Sequence, residues 1–148
     1  MGRGRPALIL YLDTSALVKL YVREKGSASV ARQLGAADAV STSMLAWAEA
    51  RAAFARLLRE RPQSRMRHRQ RVAQLTRDWG HYAVVELTAA VARDAGELAE
   101  RHALRGFDAI HLASALWLKS TYPGDLSFMA FDARLEKAAA AAGLVIAS

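Results

Sequence analysis

The chain has 148 residues, a formal net charge of +7 and no cysteine. That length suits one domain spanning residues 1–148, and a chain of this size buries about 70% of the surface its unfolded form exposes. The missing thiols exclude disulfide scaffolds, zinc–thiolate sites and thiolate catalysis, and fit a reducing compartment. No apolar stretch reaches the ~18 residues of a membrane span, and the short run after the basic residues 1–6 does not suit a signal-peptide core. The expectation is a cytoplasmic protein with no membrane association.

The first predicted element is the apolar run Leu-Ile-Leu-Tyr-Leu at 8–12. It has strand length and is apolar on both faces, as a buried parallel strand is. Asp13 ends it, followed by the hydroxyls of Thr14 and Ser15 and a short helix over 15–22. A second helix covers 26–34 and a brief strand 39–42, after which Ser43 caps a long helix over 44–59. Pro62 breaks the pattern, and a basic helix follows over 65–79. A third strand at 82–87 precedes a helix capped by Thr88 and running to 103. An apolar helix covers 107–119, a turn 122–125 and a fourth strand 126–131. Asp132 ends that strand, and a helix at 133–142 and a last short strand at 144–146 complete the chain. Strands separated by helices predict a three-layer α/β/α sandwich around a mostly parallel sheet of about five strands.

Charge is unevenly placed. Between Arg51 and Arg77 stand nine arginines and one acid, Glu60, so this segment carries +8 and the rest of the chain −1. Such a stripe is either a solvated helix face or a surface for a polyanion. On the second reading Arg51, Arg59, Arg61, Arg65, Arg67, Arg69 and Arg71 guide a nucleic-acid backbone, with salt-sensitive binding.

Four acids stand at positions where a shared site would form. Asp13 and Asp132 follow strands, where open α/β sheets bind ligands at their carboxyl edge. Asp108 opens a buried helix. Each of the three has an ordinary explanation as a helix cap or first-turn acid. Glu49 has less of one. At 100° per residue it lies about 40° from Leu45 and about 60° from Ala52 on an apolar stripe with Ala48 and Ala55. A glutamate beside a core-facing stripe is costly unless paired or metal-bound. Two carboxylates about 5 Å apart repel by ~3 kcal/mol at an effective dielectric of 20, so four together call for a counterion. With oxygen donors only, that ion is a hard divalent cation, Mg²⁺ or Mn²⁺, the usual partner of phosphodiester chemistry. Thr14 and Ser15 could support the ligands. His111 suits a core position better than a catalytic one. Arg134 suits either a carboxylate contact or the surface, and Trp47, Trp79 and Trp117 suit core or interface.

Four segments together carry a family resemblance. They are Leu-Asp-Thr-Ser-Ala-Leu-Val-Lys-Leu-Tyr at 12–21, Ser-Thr-Ser-Met-Leu-Ala-Trp-Ala-Glu at 41–49 with Arg51, Asp-Ala-Ile-His-Leu-Ala-Ser-Ala at 108–115, and Phe-Asp-Ala-Arg-Leu at 131–135. In this order and length the chain resembles PIN-domain ribonucleases, and among them the VapC-type toxins of toxin–antitoxin pairs. The resemblance implies Mg²⁺- or Mn²⁺-dependent RNA cleavage by a metal-activated water, with Asp13, Glu49, Asp108 and Asp132 as metal ligands. The last position varies most in such proteins. It also implies a homodimer and a small antitoxin that obstructs the acidic site. Two other readings stay open: a PIN-type nuclease of RNA processing or structured DNA without an antitoxin, and a nucleic-acid-binding module whose acids are only caps. A dehalogenase-like phosphatase is disfavoured because Ser15 stands where a second aspartate belongs. A receiver domain is disfavoured by the missing acidic pair and late lysine.

Overall fold

A computed structural model describes residues 7–148; the basic residues 1–6 lie outside the described residues. The strands are β1 Ile9–Leu12, β2 Ala39–Ser43, β3 Ala83–Val85, β4 Leu126–Met129 and β5 Val145–Ile146. The α-helices are α1 Thr14–Val18, α2 Ser27–Ala36, α3 Leu45–Glu60, α4 Arg65–Trp79, α5 Ala89–His102, α6 Gly106–Thr121 and α7 Ala133–Ala141. All strand pairs are parallel, in the order β3-β2-β1-β4-β5.

The central strand β1 shows why two helical layers form. Ile9 and Tyr11 face one way and pack with α5, α6 and α7; Leu10 and Leu12 face the other and pack with α1 to α4. All four are buried, which matches the run without polar alternation. The strand order reverses between β1 and β4, and a crevice opens there at the carboxyl ends of the strands.

Several boundaries differ from the sequence expectation. The helix after Asp13 starts at Thr14 and ends at Val18, because Asp13 caps it by accepting from Ala16 N at 2.9 Å and the chain then tightens into i→i+3 turns at Lys19, Leu20 and Tyr21. β4 ends at Met129, opposite Leu12, so Asp132 stands three residues past the strand. There it caps α7 by accepting from Leu135 N at 3.0 Å. β3 is the short outer strand, paired only with β2. The buried stripe of α3 is Ala46, Ala50 and Phe54, whereas Ala48 and Ala52 are exposed. Runs of alanine leave the stripe's direction ambiguous; Phe54, packed edge-on to Tyr21 at 6.0 Å, sets it. α4 buries only Leu75. It is held instead by Tyr21 donating to Asp78 at 2.8 Å and by the edge-on packing of Trp79 on Trp47 at 5.3 Å.

Candidate active site

The crevice is a cleft of about 710 Å³ whose lining includes Asp13, Glu49, Asp108 and Asp132. These four come from the end of β1, the first half of α3, the first turn of α6 and the cap of α7. Six carboxylates line it against three lysine or arginine side chains. Lys19 is tied to Glu24 at 3.0 Å, Arg56 to Glu60 at 3.1 Å and Arg105 to Asp108 at 3.1 Å.

Asp13 is the innermost acid, 3% exposed. Its Oδ atoms accept from Ser15 Oγ at 2.7 and 3.0 Å, and Ser15 Oγ in turn accepts from Phe131 N at 3.2 Å. Burial pushes its carboxyl above the usual aspartate range, with Asp108 adding to the rise; the Ala16 amide, Ser15 and His111 oppose it without cancelling it. Among the described residues no cation lies within ion-pair distance of Asp13.

Glu49 flanks the buried stripe of α3 and is oriented by two groups. Thr14 Oγ1 donates to Glu49 Oε1, and His111 Nε2 lies 3.2 Å from the same oxygen. His111 is buried, with Nδ1 2.9 Å from the Tyr11 hydroxyl. The Glu49 carboxylate can only accept, so Nε2 donates to it and Nδ1 is left to accept from the Tyr11 hydroxyl, which burial keeps protonated far above neutral pH. The proton of a neutral His111 is thereby placed on Nε2, facing Glu49. Burial alone would raise the Glu49 carboxyl; the bonds from His111 and Thr14, aided by Arg105, bring it below its ordinary value. His111, read from the sequence as a core residue, is buried and also contacts Glu49. Its signal was its place one turn after Asp108 on a buried face.

Asp108 and Asp132 are joined by Arg105, whose Nε donates to Asp108 at 3.1 Å and whose Nη2 lies 3.9 Å from Asp132. The partner of Asp108 stands three residues before it in the chain, at the N-cap of α6. Arg134 does not reach a carboxylate; its Nη1 donates to Ala103 O at 3.1 Å. Trp47 and Trp79 pack together, while Trp117 is exposed on α6. Of the arginines singled out in the sequence, Arg51 stacks over Trp47 at 5.6 Å, and Arg51, Arg59, Arg65 and Arg69 line neither this cleft nor its neighbour.

The oxygen-only donor set and the buried, cation-free Asp13 fit a hard divalent ion. The four acids are not gathered as they stand: among the described residues no three Asp, Glu or His side chains form a ready cage. Glu49 is turned to Thr14 and His111, and Asp108 to Arg105. The Arg105 side chain is largely exposed, so its release from Asp108 is cheap.

A PIN-domain family model matches residues 10–141. Ribonuclease VapC45 of Mycobacterium tuberculosis is 41% identical over 143 residues, covering 94% of each chain. The chain belongs to the VapC-type PIN-domain ribonucleases. Among solved structures, VapC20 of M. tuberculosis, a sarcin–ricin-loop-cleaving toxin, superposes on this VapC-type chain with a TM-score of 0.64 at 24% identity, over 92% of this chain and 96% of that one. A toxin–antitoxin complex from Klebsiella pneumoniae gives 0.62 at 16% identity, over 83% and 86%. These two likenesses bear on the VapC fold, which the all-parallel five-stranded sheet shares.

Proposed function

We propose that this VapC-type ribonuclease hydrolyses RNA phosphodiesters with a divalent ion, Mg²⁺ or Mn²⁺, held by Asp13, Glu49, Asp108 and Asp132. The observation that carries the reading is the meeting of four carboxylates from four separate segments in one cleft, one of them buried with no cation beside it. When bound, such an ion lowers the pKa of a water and offsets charge on the scissile phosphate. The chain's own groups do the rest. Ser15 and the Ala16 amide fix both oxygens of Asp13. Tyr11, His111 and Thr14 hold Glu49 in one orientation, with its ionised form favoured. Arg105 offsets the charge of Asp108 and Asp132, which would hold the ion with Asp13 and Glu49.

In this reading the whole chain, residues 1–148, acts as one unit in the cytoplasm. It is the toxin of a toxin–antitoxin pair, forms a homodimer, and is restrained by a small antitoxin that covers the acidic cleft. The Klebsiella complex supports that partner. No described helix is long and apolar enough to cross a membrane. The test is incubation of total RNA with the purified protein and Mg²⁺ or Mn²⁺, with sequencing of new ends. Discrete cuts that vanish in chelator and in Asp13→Asn are expected. RNA binding that survives chelator, with no cuts, favours the non-catalytic module.

A further inference from the structure

A second cleft, about 690 Å³, lies beside the first, between the chain after α1, the end of α3 and the start of α4. Glu24, Leu57 and Glu60 line both, so the two share a wall and form one continuous surface. The character of the lining changes across that wall. Glu24 and Glu60 are the second cleft's only acids, and both are already paired, with Lys19 and Arg56. Its cations are Arg23, Arg61, Arg67 and Arg71. Among the described residues none of these four has a carboxylate partner.

We propose that this groove is the binding track for the RNA strand flanking the scissile phosphate, with Arg23, Arg61 and Arg67 contacting successive phosphates. The inference rests on the nuclease reading of the adjoining cleft. Four arginines from three segments line the groove beside two acids that are already paired, and a polyanion offsets the repulsion among them. Arg71 shows the strain: burial first, and then Arg67, push its guanidinium below the ordinary arginine range. Its Nε is spent on Tyr21 O at 3.2 Å, which ties the floor of the groove to the end of α1. The remaining arginines are exposed and free to follow a backbone. No aromatic side chain lines the groove, so it reads phosphates and not stacked bases. An acidic peptide would meet the groove but be turned away by the carboxylates next door; a strand whose scissile phosphate sits on the ion suits both halves.

The test uses the full chain carrying Asp13→Asn and a fluorescein-labelled single-stranded oligouridylate in Mg²⁺ buffer. Anisotropy is followed from about 50 to about 200 mM salt. The triple variant Arg23→Ala, Arg61→Ala and Arg67→Ala is expected to flatten the slope of log K against log salt by ~2, near 0.7 per lost phosphate contact. Arg32→Ala with Arg93→Ala, exposed on α2 and α5, is expected to leave the slope unchanged. With Asp13 restored, the triple variant is expected to raise KM about tenfold or more with little change in kcat, as loss of uniform substrate binding does. A wild-type slope in the triple variant overturns the proposal. So does loss of oligoglutamate binding with RNA affinity intact, which assigns the groove to an acidic peptide. If the wild type cuts no RNA, the nuclease reading fails, and the salt slope still decides whether the groove binds RNA.

Discussion

The two adjoining clefts differ in how their charges are managed. In the acidic cleft all six carboxylates are held: Asp13 by Ser15 and an amide, Glu49 by Thr14 and His111, Asp108 by Arg105, Asp132 by its helix cap, and Glu24 and Glu60 by Lys19 and Arg56. In the basic groove Arg23, Arg61 and Arg67 are held by nothing described. A site for chemistry needs its groups fixed before the substrate arrives. A site for a flexible polymer gains from side chains that can adapt. The contrast also follows the fold, since the acids stand round the sheet's carboxyl edge, while Arg67 is on α4, a helix with one buried residue, and Arg23 and Arg61 are on the segments that follow α1 and α3.

The largest expected effect comes from the acidic side. Asp13→Asn is expected to lower RNA cleavage by ~10²-fold or more, the loss of several kcal/mol of charge stabilisation. The same change is expected to stabilise the fold near neutral pH. Because burial raises the folded-state pKa of Asp13, the native protein binds more protons than the unfolded chain between the two pKa values. Wild-type stability therefore falls as pH rises from the ordinary aspartate range through that raised value. Melting curves should show wild type and Asp13→Asn alike in acid and the variant ahead at neutral pH without metal. Equal curves at both pH values would remove the claim of an unrelieved buried charge.

The next effect concerns the groups that hold the acids. Thr14→Val and His111→Phe are expected to weaken Mn²⁺ binding by about 10–100-fold, as loss of supporting bonds to a ligand does. Circular dichroism would establish that each variant still folds, and unchanged metal affinity would deny them a positioning role. Arg105→Ala works in the opposite direction. It removes the cation that bridges Asp108 and Asp132, so Mn²⁺ affinity is expected to rise several-fold. A fall would make Arg105 part of the binding site and not a stand-in for the ion. The smallest effect is expected from Arg59→Ala and Arg69→Ala, outside both clefts: a shift of RNA affinity well below that of the groove variants, read by the same anisotropy series.

Much of the fold was legible because the central strand β1 is apolar on both faces and because α1, α5 and α7 begin at an acid or a hydroxyl. Asp13 and Thr88 cap the helices expected of them. The four acids that line the cleft were legible one by one: Asp13, Asp108 and Asp132 stand at element ends, and Glu49 flanks the buried stripe of α3. What could not be read depended on distance across the fold. The Tyr11–His111–Glu49 chain joins residues far apart in sequence. The division of the arginines into groove and surface follows from how α4 is rotated against α3, and Trp47, Trp79 and Tyr21 set that rotation. The direction of the α3 stripe was hidden for a local reason: alanines on several faces leave periodicity without contrast.

The central claim is that one divalent ion site, built on Asp13, runs the chemistry. Calorimetric titration of Mn²⁺ into the wild type and into Asp13→Asn, with RNA cleavage followed over the same concentrations, tests it most directly. Saturable uptake in the low-millimolar range or tighter is expected in the wild type and absent in the variant, with cleavage rising as the site fills. Full-rate cleavage in chelator, or the same uptake in both proteins, would contradict it.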